Sequence, residues 1–403
     1  MSDLSEQTLN ASEACQLLGV TPATLYSYVS RGLLMSHARD GERSKHYARD
    51  EVLRLAARRK DGRRAGHVAQ QAIDWGTPVL ESRITQIEDG VMRYRGRDAM
   101  ALARYATLEE TACVLWETAD ADPFAHAADI AAPAHWPVLR EALRDRLPLE
   151  RAMALLAAWP PMRDLAGAQW MRILAAALLD TEINKAPLHV QCRTAWGVAA
   201  SFDTVLRAAL VACADHELNV SAFTVRCVTS AGVGLSGALT AGLAAVSGPR
   251  HSGDTLRVRE LIDAAMASGD IASGLSVRIA QADHLGFADI LPGFGHPLYP
   301  EPAGDPRGRL MLDLLQQHAP ELEKLEALLS IAATGRVLTG QSANVDFGLA
   351  AIEYAFDLPR GAAQTLFVLG RSAGWIAHAM EQAASGSLIR PRARYVGSFT
   401  API

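Results

Sequence analysis

With 403 residues the chain is long enough to bury a large core and to form more than one domain. Its formal net charge of -5 excludes the overall basicity of a dedicated nucleic-acid binder. Ala and Leu dominate, aromatics make up 6% and β-branched runs are short, so the composition predicts a mainly helical protein.

The first predicted elements form a small N-terminal module. Asn10 with Glu13 three residues on is a capping-box pattern for a helix holding Ala14, Leu17 and Leu18, and Gly19 ends it. Thr21 caps a second helix that starts at Pro22 and runs through Leu25, Tyr26 and Val29 to Gly32. Two short helices around a glycine turn are a helix-turn-helix signal. After Gly41-Glu42-Arg43 and Tyr47, a further helix from about Arg49 places Val52, Leu53 and Leu55 on one face. Basic residues outnumber acidic ones from Arg39 to Arg64, and Arg58 to Arg64 reads as a polar linker. No basic-then-apolar signal opens the chain. Five cysteines, at 15, 113, 192, 213 and 227, show no paired spacing, which reads as reduced thiols in a cytoplasm, and no metal-ligand set is apparent.

Beyond the linker, Gly76-Thr77-Pro78-Val79 and Ile84-Thr85-Gln86-Ile87 predict short extended pieces, with a turn at Asp89-Gly90. From Asp98 the pattern is helical, with Leu108, Ala112, Leu115 and Trp116 at core spacing. The uncharged stretch from Cys227 to Pro249 is rich in Gly, Ser and Ala, and predicts a buried helix packed closely on a neighbour rather than a membrane span. Four segments carry chemistry: Asp215-His216-Glu217; Ser247 to Gly253, with His251; Gly293-Phe294-Gly295-His296, followed by Asp305-Pro306-Arg307; and Asn344-Val345-Asp346-Phe347-Gly348. A histidine among glycines with an arginine close behind suits a carboxylate-bearing ligand, because glycines let the backbone approach and the two side chains supply donors and charge. Asp346, between apolar residues, reads as a desolvated base or as a structural helix cap. Trp375, at helical spacing from Arg371 and His378, reads as packing.

In this order, and with Ile87-Glu88-Asp89-Gly90, Tyr94-Arg95-Gly96-Arg97-Asp98, Gly370 to His378 and Ile389 to Gly397, the segments from about residue 67 onward resemble the citrate synthase family. Residues 9 to about 60 resemble the winged helix-turn-helix of MerR-type regulators and excisionases. The resemblance implies a mainly α protein. A large helical domain (65–253 and 358–403) and a small helical domain (254–357) would flank a cleft, with a module and linker at 1–64. It implies an acyltransferase that condenses acetyl-CoA with oxaloacetate and hydrolyses the thioester to give citrate and CoA, with no cofactor beyond the CoA thioester used as substrate. His251, His296 and Asp346 would be catalytic, and His216, Arg307 and Arg390 would hold the keto acid. CoA would lie along Leu291, Pro292, Gly293, Phe294 and Gly295. A homodimer is also implied. Thr24, Tyr28, Arg31, Arg43 and Lys45 would face DNA, the alternative being a solvated basic surface.

Three departures qualify the likeness. Ser252-Gly253-Asp254 follows His251 where the family is small and amide-rich, and Arg250 precedes it where an aliphatic residue is common. Pro300 to Gly304 makes a longer, stiffer connection, and the sequence stops at Ile403 without the arginine-bearing tail of many members. Two other readings stay open: a 2-methylcitrate synthase using propionyl-CoA, and a DNA-binding regulator whose enzyme-like body senses CoA thioesters or keto acids. Retention of His251, His296 and Asp346 together favours an enzyme.

Overall fold

Asn10 and Glu13 close the capping box that their spacing predicts: Glu13 N–H donates to Asn10 Oδ1 at 2.9 Å and Asn10 N–H to Glu13 Oε2 at 2.8 Å. This is one local feature of a computed structural model that describes residues 8–30, 34–38, 45–49, 51–53, 55, 80–118, 122–160, 165–248, 254–285 and 291–393. The chain divides into two compact units, Met1–Glu81 and Ser82–Ile403. The predicted boundary at 64/65 and the extended piece at 76–79 lie outside the described residues.

In the first unit, β1 (Thr8–Asn10) leads into α1 (Ala11–Leu18), which Gly19 ends in the left-handed conformation at φ 61°. Helix α2 (Pro22–Ser30) starts behind Thr21, whose Oγ1 accepts from Thr24 N–H at 3.4 Å. Strands β2 (Ser36–Ala38) and β3 (Lys45–Ala48) complete an antiparallel sheet of order β1-β3-β2, and Arg49, Glu51–Leu53 and Leu55 are helical. Ala14, Leu18, Leu25, Leu34, Tyr47 and Val52 form the core of this unit. Three of the apolar residues by which these helices are read, Leu17, Tyr26 and Leu53, are exposed. Each sits one position beside a buried partner, and a helix of eight or nine residues has too few turns for its pattern to fix which neighbour points inward.

The second unit opens on an antiparallel meander, β4 (Thr85–Glu88), β5 (Val91–Tyr94) and β6 (Arg97–Asp98), turning at Asp89 (φ 50°) and Gly90 (φ 74°) as expected of an Asp-Gly hairpin. Helices then follow to the end of the described chain. The first nine are α3 (Ala99–Tyr105), α4 (Leu108–Trp116), α5 (Trp136–Ala142), α6 (Pro148–Ala157), α7 (Gly167–Leu179), α8 (Leu188–Trp196), α9 (Asp203–Ala212), α10 (Val220–Ser230) and α11 (Leu235–Val246). After them come α12 (Asp254–Ala267), α13 (Ile271–Leu285), α14 (Pro306–His318), α15 (Leu325–Thr339), α16 (Val345–Ala355) and α17 (Ala362–Ser385). The stretch from Cys227 to Pro249, predicted as one helix, is the end of α10, a turn over Ala231 to Gly234, and α11. Gly232, at φ 87°, allows that turn. Among the described residues no helix is long and apolar enough to cross a membrane.

Helix α17 is the centre of the core, buried without a break from Ala362 to Ala379. Its glycines let it lie directly on the end of α9 and the segment after it: a Cβ at Gly370 would fall 2.4 Å from Leu210 O, and one at Gly374 2.3 Å from Asp215 Oδ1. Gly374 N–H also donates to Ala214 O at 2.9 Å. Trp375 is fully buried against Gly242, and its Nε1–H donates to Ser221 Oγ at 3.1 Å, which places it in the packing role its spacing predicts.

Candidate active site

Two helix starts and one glycine loop assemble the site. Asn344 caps α16, its Oδ1 accepting from Asp346 N–H at 2.9 Å and Phe347 N–H at 3.3 Å, and so fixes Asp346 in the first turn. Asp305 caps α14 and accepts from Arg307 three times, from the backbone N–H at 3.0 Å, Nε at 2.9 Å and Nη2 at 2.8 Å. The same carboxylate accepts from Val345 N–H at 3.1 Å, which joins the starts of α14 and α16. The glycine loop runs beside the segment that enters α16: Asn344 N–H donates to Gly293 O at 2.9 Å, Gly295 N–H to Ser342 O at 2.8 Å, and Phe294 bridges Ala343. Gly293 (φ 84°) and Gly295 (φ 76°) hold left-handed conformations, and a Cβ on Gly295 would meet the Gln341 side chain. His296 is carried out of this paired stretch.

His216 reaches the same place from the turn after α9. Its neighbours are engaged elsewhere: Asp215 Oδ2 accepts from Thr85 Oγ1–H at 2.6 Å, and Glu217 Oε1 from Ile87 N–H at 3.0 Å. The His216 ring stands edge-on to His296, centroids 4.9 Å apart, and its Nε2 lies 2.9 Å from the Tyr299 hydroxyl. The Arg307 guanidinium sits 5.4 Å from the centre of the Tyr299 ring.

The electrostatics differ sharply between the two candidate reacting groups. Burial first, and the Asp254 carboxylate second, push the Asp346 carboxyl up to about 8 against the pull of Arg307 and Arg371. Its Oδ1 is shut off from solvent without a hydrogen-bond partner among the described residues. Burial first, then Arg307, pushes the His296 imidazole down to about 4, so it is neutral at pH 7. Leu298 N–H donates to its Nδ1 at 3.2 Å, which leaves the ring proton on Nε2 as a donor. The arrangement therefore combines a desolvated carboxyl, a neutral imidazole donor and buried cations. This is the equipment for taking a proton from carbon while polarising a carbonyl.

The structure brings His216, His296, Arg307 and Asp346 together, and adds a residue that local pattern had left as one of a helical triple. Arg371, fully buried on α17, donates through Nε to Cys213 O at 2.9 Å, stacks 4.6 Å from the Phe367 ring, and is felt by His296, Asp346 and Arg307 alike. An arginine set among small and apolar residues, Val368-Leu369-Gly370 before it and Ser372-Ala373-Gly374 after it, is the signal that marks it. Arg390, by contrast, is exposed on the stretch after α17 and does not join this cluster within one chain. The expected CoA loop also differs. Leu291, Gly293 and Phe294 are buried, and the Gly293 carbonyl and both Gly295 backbone groups already pair with residues 342–344, so only Pro292 and Gly295 remain partly open. His251 lies outside the described residues, as do Arg31 and Arg43. In the first unit Lys45 is exposed, while Thr24 is half-buried and bonded to Thr21, and half-buried Tyr28 packs on the core.

Comparison with known proteins fits this geometry. The family described as "Citrate synthase, C-terminal domain" matches residues 146–392, and "MerR HTH family regulatory protein" matches residues 9–60. A citrate synthase of Haloferax volcanii is 30% identical over 204 residues, covering 50% of this chain and 51% of that protein; the chain thus spans about half the length of such curated relatives. Citrate synthase from Thermotoga maritima has a similar fold, with a TM-score of 0.67 at 22% identity over 81% of this chain and 96% of that one. The Thermoplasma acidophilum enzyme, solved in a ternary complex with carboxymethyl coenzyme A and oxaloacetate, scores 0.66 at 20% identity over 82% of this chain and 96% of that one. The chain belongs to the citrate synthase family and carries a MerR-type helix-turn-helix at its N-terminus.

Proposed function

We propose that this protein condenses acetyl-CoA with oxaloacetate to give citrate and CoA. The observation that carries the reading is the pairing of a desolvated Asp346 carboxyl with a neutral His296 donor beside buried Arg307 and Arg371. In this reading Asp346 removes a proton from the thioester methyl group, and the resulting enol or enolate attacks the keto carbon, whose oxygen accepts from His296 Nε2–H. His251 donates to the thioester oxygen. Water then cleaves the thioester and releases CoA. His216, Arg307 and Arg371 hold the dicarboxylate, arginine forks matching carboxylate geometry. Since Arg307 is already bound on two sides by Asp305, it meets the substrate through its remaining donors. In the same proposal 254–357 moves as a small domain against the rest, and the protein works as a homodimer in the cytoplasm.

The test is release of free thiol from acetyl-CoA by the full-length protein, with and without oxaloacetate, and a parallel arm with propionyl-CoA. Release that depends on the keto acid supports condensation, and a higher kcat/KM with propionyl-CoA shifts the assignment to 2-methylcitrate formation. A keto-acid-independent release, or none with either thioester, removes the condensation reading. The match to a MerR helix-turn-helix favours a second activity, DNA binding through the first unit, whether or not the body turns over. Retention of duplex DNA at low salt, falling steeply as salt rises, supports it.

A further inference from the structure

We propose that the Tyr299 hydroxyl is a positioning group that fixes the ring proton of His216 on Nδ1, setting the tautomer in which His216 meets the keto acid. The part that concerns the keto acid rests on the condensation reading above; the tautomer does not.

Tyr299 is buried at the end of the glycine loop, where its N–H donates to His296 O at 3.0 Å and closes the turn that carries that histidine. Its ring lies 5.0 Å from His296 and 5.6 Å from His216, with the Arg307 guanidinium 5.4 Å above it. One side chain thus touches three of the candidate site residues. Among the described residues its hydroxyl has two hydrogen-bond partners, His216 Nε2 at 2.9 Å and the Met92 thioether sulfur at 3.5 Å. A phenol has a single proton to give, and an imidazole nitrogen is a much stronger acceptor than a thioether. The hydroxyl keeps that proton, because burial pushes its pKa well above the usual tyrosine range. Donation therefore goes to Nε2, which must carry a lone pair, and the ring proton of His216 sits on Nδ1.

The consequence is a matched pair of opposite tautomers. His296 accepts a backbone N–H at Nδ1 and carries its proton on Nε2, whereas His216, 4.9 Å away, does the reverse. Each imidazole is a donor, but through a different nitrogen. Removing only the Tyr299 oxygen would leave His216 Nε2 buried beside a thioether, and the ring would take the other tautomer or turn over.

The deciding measurement is the two-bond proton–nitrogen spectrum of the full-length protein labelled with [15N]histidine, with the His216 signals assigned by their loss in His216→Gln. The expected result is protonated Nδ1 in the wild type and a shift toward protonated Nε2 in Tyr299→Phe. Protonated Nε2 in the wild type overturns the proposal, even if the Phe variant fails to fold, and so does an unchanged tautomer in a folded Tyr299→Phe. Kinetics then test what the tautomer does. Tyr299→Phe is expected to raise the oxaloacetate KM about tenfold, the loss from one misdirected donor to a charged group, with the acetyl-CoA KM unchanged and kcat within about twofold. In the His216→Gln background Tyr299→Phe should add no further rise in KM, whereas an equal further rise would show that the tyrosine acts by some other route. Absence of any turnover in the wild type would count against the condensation reading alone.

Discussion

Asp346 holds its proton near neutral pH, and a base must be ionised to act. Catalytic rate is therefore expected to climb with pH and to level off only above about 8. Because Asp254 contributes to the raised value, Asp254→Asn should move the inflection to lower pH, and a pH–rate profile of the two proteins checks both statements. Asp346→Asn should lower turnover by roughly two to four orders of magnitude, the range for loss of a general base, while keeping the fold. The same group bears on stability. Its folded value lies above that of an ordinary carboxyl, so the native state retains a proton that the unfolded chain releases, and its contribution falls as pH rises from the ordinary carboxylate range to about 8. Asp346→Asn should accordingly raise the thermal midpoint at pH 8 more than at pH 5, which calorimetry at the two pH values will show. The desolvation of this residue was legible in sequence from apolar Val345 and Phe347, which left a base and a structural cap both open. Arg371 was not legible as a site residue, because only the tertiary fold brings it within the electrostatic reach of His296, Asp346 and Arg307. Arg390 is assigned to the keto acid by the family resemblance alone, its Arg-Pro-Arg run reading locally as surface, and within one chain it stands exposed and apart from the cluster.

Helix α17 bears on His216 through the two residues before it, Ala214 and Asp215. Gly374 leaves no room for a side chain against Ala214 O and Asp215 Oδ1, at 2.5 and 2.3 Å from the built Cβ. Gly374→Ala should cost about 1 to 3 kcal/mol of stability by overpacking, measured in urea, and raise the keto-acid KM by displacing the 214–216 turn. A loss of stability with an unchanged KM would mean that the helix yields instead. At this scale the sequence was readable wherever the signal is local. The capping box at Asn10, the Asp89-Gly90 hairpin and the core spacing of Leu108, Ala112, Leu115 and Trp116 all hold in the structure. The division of Cys227 to Pro249 into two helices was lost because small residues fill helix and turn alike. Gly232 and Gly234 were the available clue.

The two units have separate hydrophobic cores, so residues 82–403 alone are expected to fold and to retain condensation, and removal of the first unit should abolish only DNA retention. Arg390 poses a question that one chain cannot answer. Exposed and apart from the cluster, it serves a site only in a second copy. If it does, Arg390→Ala and Asp346→Asn subunits, each nearly inactive, should regain about a quarter of wild-type activity when mixed and allowed to exchange, since half the dimers are mixed and half of their sites intact. No recovery on mixing, or full activity of Arg390→Ala alone, would return Arg390 to the surface.

The pairing of residues 293–295 with 342–344 has a mechanical meaning as well as a structural one. It gears His296 and Asp346 to a single rigid part, the donor and the base mounted on adjoining strips of one backbone. In the proposed reaction, any displacement that admits the thioester would carry these two groups together, with their separation preserved. His216 and Arg371 are mounted separately, on the turn after α9 and on α17. In that reading the geometry of donor and base is built in, while the grip on the keto acid also draws on residues from outside the paired strips.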